Sequence, residues 1–267
     1  LFASLASREE DKDPIDNAVI TRAKTIKGFS DLLGSYKVVT FKPFDPVSKR
    51  TEATVIGASG NRFSVTKGAP QVISSLAESN EISDSRLDEY INRFAAKGYR
   101  ALGVASTDAQ GKWIFSGLMA LYDPPREDSA ETIKTAQSMG IDVKMLTGDH
   151  LAIAKEISRQ VNLSPEIMLA TSFINLPDEE AEKIVENANG FAQVFPEHKY
   201  RIVELLQHRG HIIGMTGDGV NDAPALKKAD VGIAVSGSTD AAKSAADIVL
   251  TKSGLSTIIN AVKESRK

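Results

Sequence analysis

Thr216-Gly217-Asp218-Gly219-Val220-Asn221-Asp222 places two carboxylates, a carboxamide and two glycines within seven residues. An apolar run, His211-Ile212-Ile213-Gly214-Met215, precedes it, and a helical stretch opens at Ala223-Pro224. The pattern predicts a strand over 212–215, a sharp turn and then a helix. Oxygen ligands at the carboxyl end of a strand suit a hard cation such as Mg²⁺, with Asp218 as the ligand and Asn221 and Asp222 in support. The glycines let backbone N–H groups come close to an anion. A solvated acidic turn is the alternative, and the buried-looking strands around the loop argue against it.

Working outward, the second half of the chain alternates strand, turn and helix. Strands are expected over 141–146, 193–195, 231–235 and 248–250. Helices are expected over 151–161, with Leu151, Ala154, Ile157 and Val161 on one face, and over 201–209. Asp178-Glu179-Glu180 reads as a further helix start with Asp178 capping. This alternation is the signature of a parallel sheet with helices on both faces. The first half reads differently. Asp13-Pro14 starts a helix with Ile15, Ala18 and Val19 on one side. Strands over 51–56 and 62–66 flank the turn region Gly57-Ala58-Ser59-Gly60-Asn61. Leu87, Ile91 and Phe94 keep helical spacing and Gly98 suits the stop. Strands over 100–106 and 113–121 follow, with Trp113 as a packing residue, so an antiparallel sheet with flanking helices is expected. Asp123-Pro124-Pro125-Arg126 separates the two patterns, because two consecutive prolines continue neither element well.

Composition sets the bounds. The chain has 267 residues, 42% apolar and 25% charged, which suffices for two ordinary domains with real cores. A net charge of −3 gives no electrostatic case for nucleic acid. With no cysteine, disulfides, thiolate metal sites and a cysteine nucleophile are all excluded. No run approaches the length of a membrane span. The chain starts at Leu1 and reads as a piece of something longer. The four histidines show no metal-ligand spacing, and neither Gly-x-Gly-x-x-Gly nor a Walker-type loop occurs.

Three loops in the second half carry chemistry. Leu146-Thr147-Gly148-Asp149 ends a strand and starts a helix, so a hydroxyl and helix N-terminal N–H groups make an anion seat. Phe195-Pro196-Glu197-His198-Lys199 brings a lysine for a phosphoryl oxygen. The acidic loop brings the cation. Hydroxyl, ammonium and metal around one phosphoryl group are the equipment of phosphoryl transfer. The nearest candidates for a nucleophile, Asp149 and Asp218, suit supporting roles better. In the first half a nucleotide needs a ring for its base and cations for its phosphates. Phe44 can stack, Lys49 and Lys67 can face a pocket from adjacent strands, Arg100 can reach a phosphate, and Asp16 can accept from an adenine amino group.

Together, Thr147-Gly148-Asp149, Asp123-Pro124-Pro125-Arg126 and the stretch from Thr216 to Pro224 resemble the cytoplasmic part of P-type cation-transporting ATPases. Lys67-Gly68-Ala69 is similar to the nucleotide-site motif of that family. Phe41-Lys42-Pro43-Phe44-Asp45-Pro46-Val47-Ser48-Lys49-Arg50-Thr51 and Val194-Phe195-Pro196-Glu197-His198-Lys199-Tyr200 look like its proton-pumping branch. The resemblance covers essentially the whole chain. It implies a nucleotide-binding domain over 1–121 that includes Asp16, Phe44, Lys49, Lys67, Gly68 and Arg100. Over 122–267 it implies a phosphorylation domain of haloacid dehalogenase-like fold lacking its first strand. There Thr147, Gly148, Asp149 and Lys199 would be catalytic, and Asp218, Asn221 and Asp222 would hold Mg²⁺. The resemblance further implies ATP as substrate, an actuator domain of the same pump as partner, and a place on the cytoplasmic face of a plasma membrane through spans this sequence lacks. The family's phosphorylated aspartate lies in an upstream Asp-Lys-Thr-Gly-Thr segment that is absent here, so the chain alone is expected to form no phosphoenzyme. The rival readings are a phosphatase of the same sheet type with the first half as a cap, and a nucleotide-binding regulator.

Overall fold

The computed structural model describes residues 1–10, 13–77, 83–252, 254 and 256–265. The chain divides into two compact units, Leu1–Asp123 and Pro124–Lys267.

The first unit opens with three helices, α1 (Phe2–Leu5), α2 (Pro14–Lys24) and α3 (Phe29–Gly34). The strands β1 (Lys37–Asp45), β2 (Arg50–Ile56) and β3 (Arg62–Gly68) follow, then α4 (Pro70–Leu76), α5 (Asp84–Ala95), β4 (Tyr99–Thr107) and β5 (Trp113–Tyr122). The five strands form one antiparallel sheet in chain order. Asp13 caps α2 as expected, its carboxylate accepting from the Ile15 and Asp16 N–H groups. Alternation along β2 and β3 turns Ala53, Val55 and Val65 toward α1, where they bury Leu5 and Ala6. Val104 of β4 faces Ala3 of α1 and Val19 of α2. Its neighbour Gly103 points to the opposite face, where a Cβ would lie 2.9 Å from Ile73 Cβ of α4. Strand β1 is an exposed edge whose register to β2 shifts between Lys42 and Asp45.

The buried face of α2 differs from the expected one. Asp16, Val19 and Ala23 are buried, whereas Ile15 and Ala18 are exposed, because a buried partner draws the Asp16 side chain inward. Lys49 is also displaced from its expected strand. It lies in the β1–β2 turn with a φ of 52°.

The second unit comprises α6 (Ser129–Ser138), β6 (Met145–Leu146), α7 (Leu151–Gln160), β7 (Ile167–Leu169), α8 (Asp178–Asn187), β8 (Gly190–Ala192) and α9 (Pro196–His208). It continues with β9 (Gly214–Gly217), α10 (Ala223–Lys228), β10 (Val231–Ala234), α11 (Asp240–Ala245), β11 (Ile248–Val249) and α12 (Ser256–Ser265). Its strands form two three-stranded parallel sheets, β6-β8-β7 and β11-β10-β9, in place of a single one. Helix α9 serves both. Its Ile202, Leu205 and Leu206 pack with Phe191 and Val185, while Val203 packs with Met215 and Leu226. Leu146 of β6 and Ile213, just before β9, lie against both clusters.

Several expected boundaries move. The strand expected over 193–195 is instead β8, because Gln193 takes a left-handed φ of 54° that ends the ladder. Only Met145 and Leu146 of the run 141–146 join a sheet. Strand β9 starts and ends two residues later than expected, at Gly214 and Gly217. Of the face expected on α7, Ala154 and the C-cap residue Val161 are buried and Leu151 and Ile157 are half-buried, while Ile153 and Ser158 are buried beside them. Pro177, not Asp178, is the N-cap of α8, so Asp178 contributes as a first-turn charge. Gly190 sits at the centre of its sheet, and an added Cβ would meet Met145 O at 2.2 Å. Gly190→Ala is therefore expected to lose about 1–3 kcal/mol from the second unit, read as a lower urea midpoint by hydrogen exchange of its amides.

Candidate functional site

The loops at the carboxyl ends of β6, β8 and β9 are tied to one another. The Val194 N–H donates to Thr147 O and the Gln193 N–H to Asp149 O, each at 3.0 Å, which joins the first loop to the second. Lys199, in the first turn of α9, donates to Asp222 Oδ1 at 2.5 Å, which joins the second to the third. The Thr239 N–H donates to Asp218 O at 2.8 Å, so the turn before α11 supports the third loop from its far side.

Within this group each residue has a definite place. Thr147 Oγ1 donates to Asp149 Oδ2 at 3.1 Å and accepts from the Asp149 N–H at 3.0 Å, which closes a tight turn around the exposed Gly148. Pro196 starts α9, and His198 Nδ1 accepts from the Phe195 N–H at 3.2 Å, which sets the helix start and hence the root of Lys199. Asp222 is buried, and both of its oxygens accept hydrogen bonds. Its second oxygen accepts from the N–H groups of Asp218 and Gly219 at 3.1 and 3.2 Å. Burial works to raise the Asp222 carboxyl. The Lys199 ammonium and the two backbone N–H groups outweigh it, so the carboxyl lies below its ordinary value. Gly217 admits this arrangement, since a Cβ there would lie 2.5 Å from Asp222 Cβ.

Asp222 thus acts as a brace for the loop and for Lys199, with both oxygens already accepting. That differs from its expected place beside a cation. Asp218 and Asn221 remain exposed at the end of β9. Among the described residues no group of three or more acidic or histidine side chains is gathered for a metal. A site of one carboxylate and one carboxamide fits Mg²⁺, which keeps several waters and takes other ligands from a substrate phosphate.

The first unit brings together a different set. Lys67 is 2% exposed. Its ammonium meets Asp16 Oδ1 at 2.5 Å, Ala6 O at 2.8 Å and Thr51 Oγ1 at 3.3 Å. An ammonium has three N–H donors, and all three are engaged. Asp16 and Lys67 therefore face each other and not an open pocket. Gly68 lets β3 approach the β1–β2 turn closely, since a Cβ would lie 2.3 Å from Lys49 O, and the Ala69 N–H donates to that same oxygen at 3.0 Å. Phe44 is 56% exposed, and Lys49 and Arg100 are exposed as well. The sequence reading missed Thr51 and the Ala6 carbonyl as partners of Lys67. One signal was available: Val65 and Lys67 share one side of β3, so an inward Lys67 needs a counter-charge.

Residues 67–230 match the haloacid dehalogenase-like hydrolase family, and residues 200–261 match a second family of the same description. Along its full length the chain is 50% identical to a Methanocaldococcus jannaschii protein whose name assigns it provisionally to the cation-transporting ATPases. It is 48% identical to plasma membrane ATPase 1 of Saccharomyces cerevisiae. It is also 48% identical to a Leishmania donovani protein named provisionally as proton ATPase 1A. The chain spans 33%, 30% and 28% of those proteins, about a third of their length.

Proposed function

Because the chain belongs to the haloacid dehalogenase-like hydrolase family, we propose that its acidic-loop site handles the phosphoryl group of ATP, as part of an ATPase that moves a cation, H⁺, across a membrane. The observation that carries this reading is the Lys199–Asp222 bridge, which joins the ammonium at the start of α9 to the acidic loop at the carboxyl edge of the strands. The ATPase relatives along the whole chain support it, and the name of the Leishmania relative supports H⁺.

In this reading Thr147, the Gly148 turn and Lys199 hold phosphoryl oxygens, and Asp149 orients them through Thr147. Asp218 and Asn221 hold Mg²⁺, which when bound offsets charge on those oxygens. The first unit binds the nucleotide with Phe44, Lys49 and Arg100. No helix among the described residues is long and apolar enough to cross a membrane, so spans, an actuator domain and a plasma-membrane setting belong to the proposal for a longer protein.

The nucleophile is the remaining element. Strands β6 and β9 each terminate a parallel sheet, and Leu146 of β6 and Ile213, just before β9, pack against the same two clusters. A strand seated between them would join six strands into one seven-stranded sheet and end beside Thr147, Lys199 and Asp218. We infer that an Asp-Lys-Thr-Gly-Thr strand takes this slot and supplies the aspartate.

Calorimetry with ATP tests the reading. Mg²⁺ is expected to tighten ATP binding to the wild-type chain, and Asp218→Asn is expected to lose about tenfold of that Mg²⁺-dependent part, the loss of one charged ligand. ATP binding indifferent to Asp218→Asn would favour a nucleotide-binding regulator. The chain alone is expected to take no covalent phosphate from ATP. Turnover of a simple phosphate ester by the chain alone would favour the capped phosphatase.

A further inference from the structure

We propose that residues 6–8 form a fixed strap across the first unit and that Arg8, at its end, binds a phosphate of the nucleotide. The proposal rests on the nucleotide-binding reading of that unit.

The strap is tied at both ends to elements distant in sequence. Ala6 O accepts from Lys67 Nζ of β3 and from Thr51 Oγ1 of β2, each at 2.8 Å. Two residues on, the Arg8 N–H donates to Asp16 Oδ2 of α2 at 2.8 Å. The Arg8 guanidinium lies 5.1 Å from the centroid of the Phe41 ring on β1. Residues 6–8 therefore cross the inner face of the sheet from β3 to β1, and the Asp16–Lys67 pair clamps both ends. The backbone bond fixes the root of Arg8 and the ring fixes its tip.

This cation–π contact places Arg8 Cζ over the ring and uses none of its N–H groups as a hydrogen-bond donor. Its in-plane N–H groups remain available to an oxyanion, in a fork that suits phosphate. Among the described residues the carboxylate it meets is that of Glu10, 3.8 Å from Nε and itself 80% exposed. That separation is beyond hydrogen-bond range. Phe44 lies three residues along the same strand and Lys49 follows in the next turn. Phe44 and Lys49 thus belong, with Phe41, to the β1 border of the sheet. Lys67 cannot join them without releasing the strap, because its three donors are engaged.

Calorimetry on the full chain with ADP, adenosine and inorganic phosphate tests the assignment. Arg8→Gln is expected to weaken ADP roughly tenfold, as for one lost charge-assisted contact, and to leave adenosine unchanged. Arg8→Lys keeps the charge, loses the planar fork, and is expected to fall between wild type and Arg8→Gln. Asp16→Asn is expected to weaken ADP in the same direction and to speed hydrogen exchange at the Arg8 amide. Wild-type ADP binding with no change in Arg8→Gln, or with equal losses for ADP and adenosine, overturns the role of Arg8 and leaves the nucleotide reading standing. Inorganic phosphate binding as tightly as ADP would mark a free-anion site and also overturn it. A wild-type chain that binds neither ADP nor adenosine overturns both.

Discussion

Lys67→Met is expected to cost the first unit about 3–5 kcal/mol, because it strands the Asp16 carboxylate in the core without its partner. The pair is almost fully enclosed, with side chains 2% and 5% exposed. Methionine fills the aliphatic volume of lysine, so the loss reads the charge and its hydrogen bonds more than packing. The same change removes the donor to Ala6 O and so loosens the first residues of the chain. A domain is held by only about 5–15 kcal/mol, so the variant unit is expected to be partly unfolded at modest urea. Trp113 of β5 is the single tryptophan of the chain and reports this unit selectively in fluorescence. Lys67→Met with Asp16→Leu is expected to regain much of the loss, since exchanging a whole buried pair for apolar groups is far less costly than breaking it. A single variant as stable as wild type would show that the enclosed pair does not form in solution.

Lys199→Met is expected to cost the second unit about 3 kcal/mol at neutral pH, at the lower end of the range for a broken buried pair because Lys199 is 17% exposed. Asp222 keeps its two backbone donors but loses the ammonium that outweighs its burial. The pH dependence separates this cause from simple packing loss. In the wild type the folded carboxyl lies below the ordinary 3.8, so the unfolded chain binds more protons in that window. The stabilisation from Asp222 is fully present above the unfolded value and disappears as pH falls through the folded one. In Lys199→Met, burial without the ammonium pushes the carboxyl upward, and protonation then relieves the penalty. The stability gap between variant and wild type is therefore expected to narrow as pH drops from neutral into the carboxylate range. Hydrogen exchange of the second unit at pH 7 and pH 4 measures it. A gap that stays constant would assign the loss to packing alone.

Much of the architecture was legible because its signals are local. The hairpin of β2 and β3, the cap at Asp13 and the stop at Gly98 all depend on neighbours in sequence. The strand-turn-helix form around the acidic loop was legible for the same reason, and so was the place of Thr147 just past the end of a strand. What escaped the reading depends on distance or on backbone angles that side chains do not announce. Asp16 and Lys67 are separated by 51 positions, so their union could not be read from either helix or strand alone. Gln193 enters the left-handed region without being glycine or asparagine, which moved a strand by three residues. Asp222 carries the same functional group as Asp218, and only the fold shows that one braces the loop while the other is exposed. Helix α6 has few apolar residues, and β7 is only three residues long, so neither gave a periodic pattern to detect.

The three sheets differ in how they treat their outer strands. Strand β1 carries Lys37, Lys42 and Pro43 together with a register shift, all of which discourage a second molecule from using it as a template. It is defended as a permanent border must be. Strands β6 and β9, Met-Leu and Gly-Met-Thr-Gly, carry no charge, no proline and no bulge. Such undefended borders invite self-association in concentrated solution, so the chain on its own is expected to associate through β6 and β9 and not through β1.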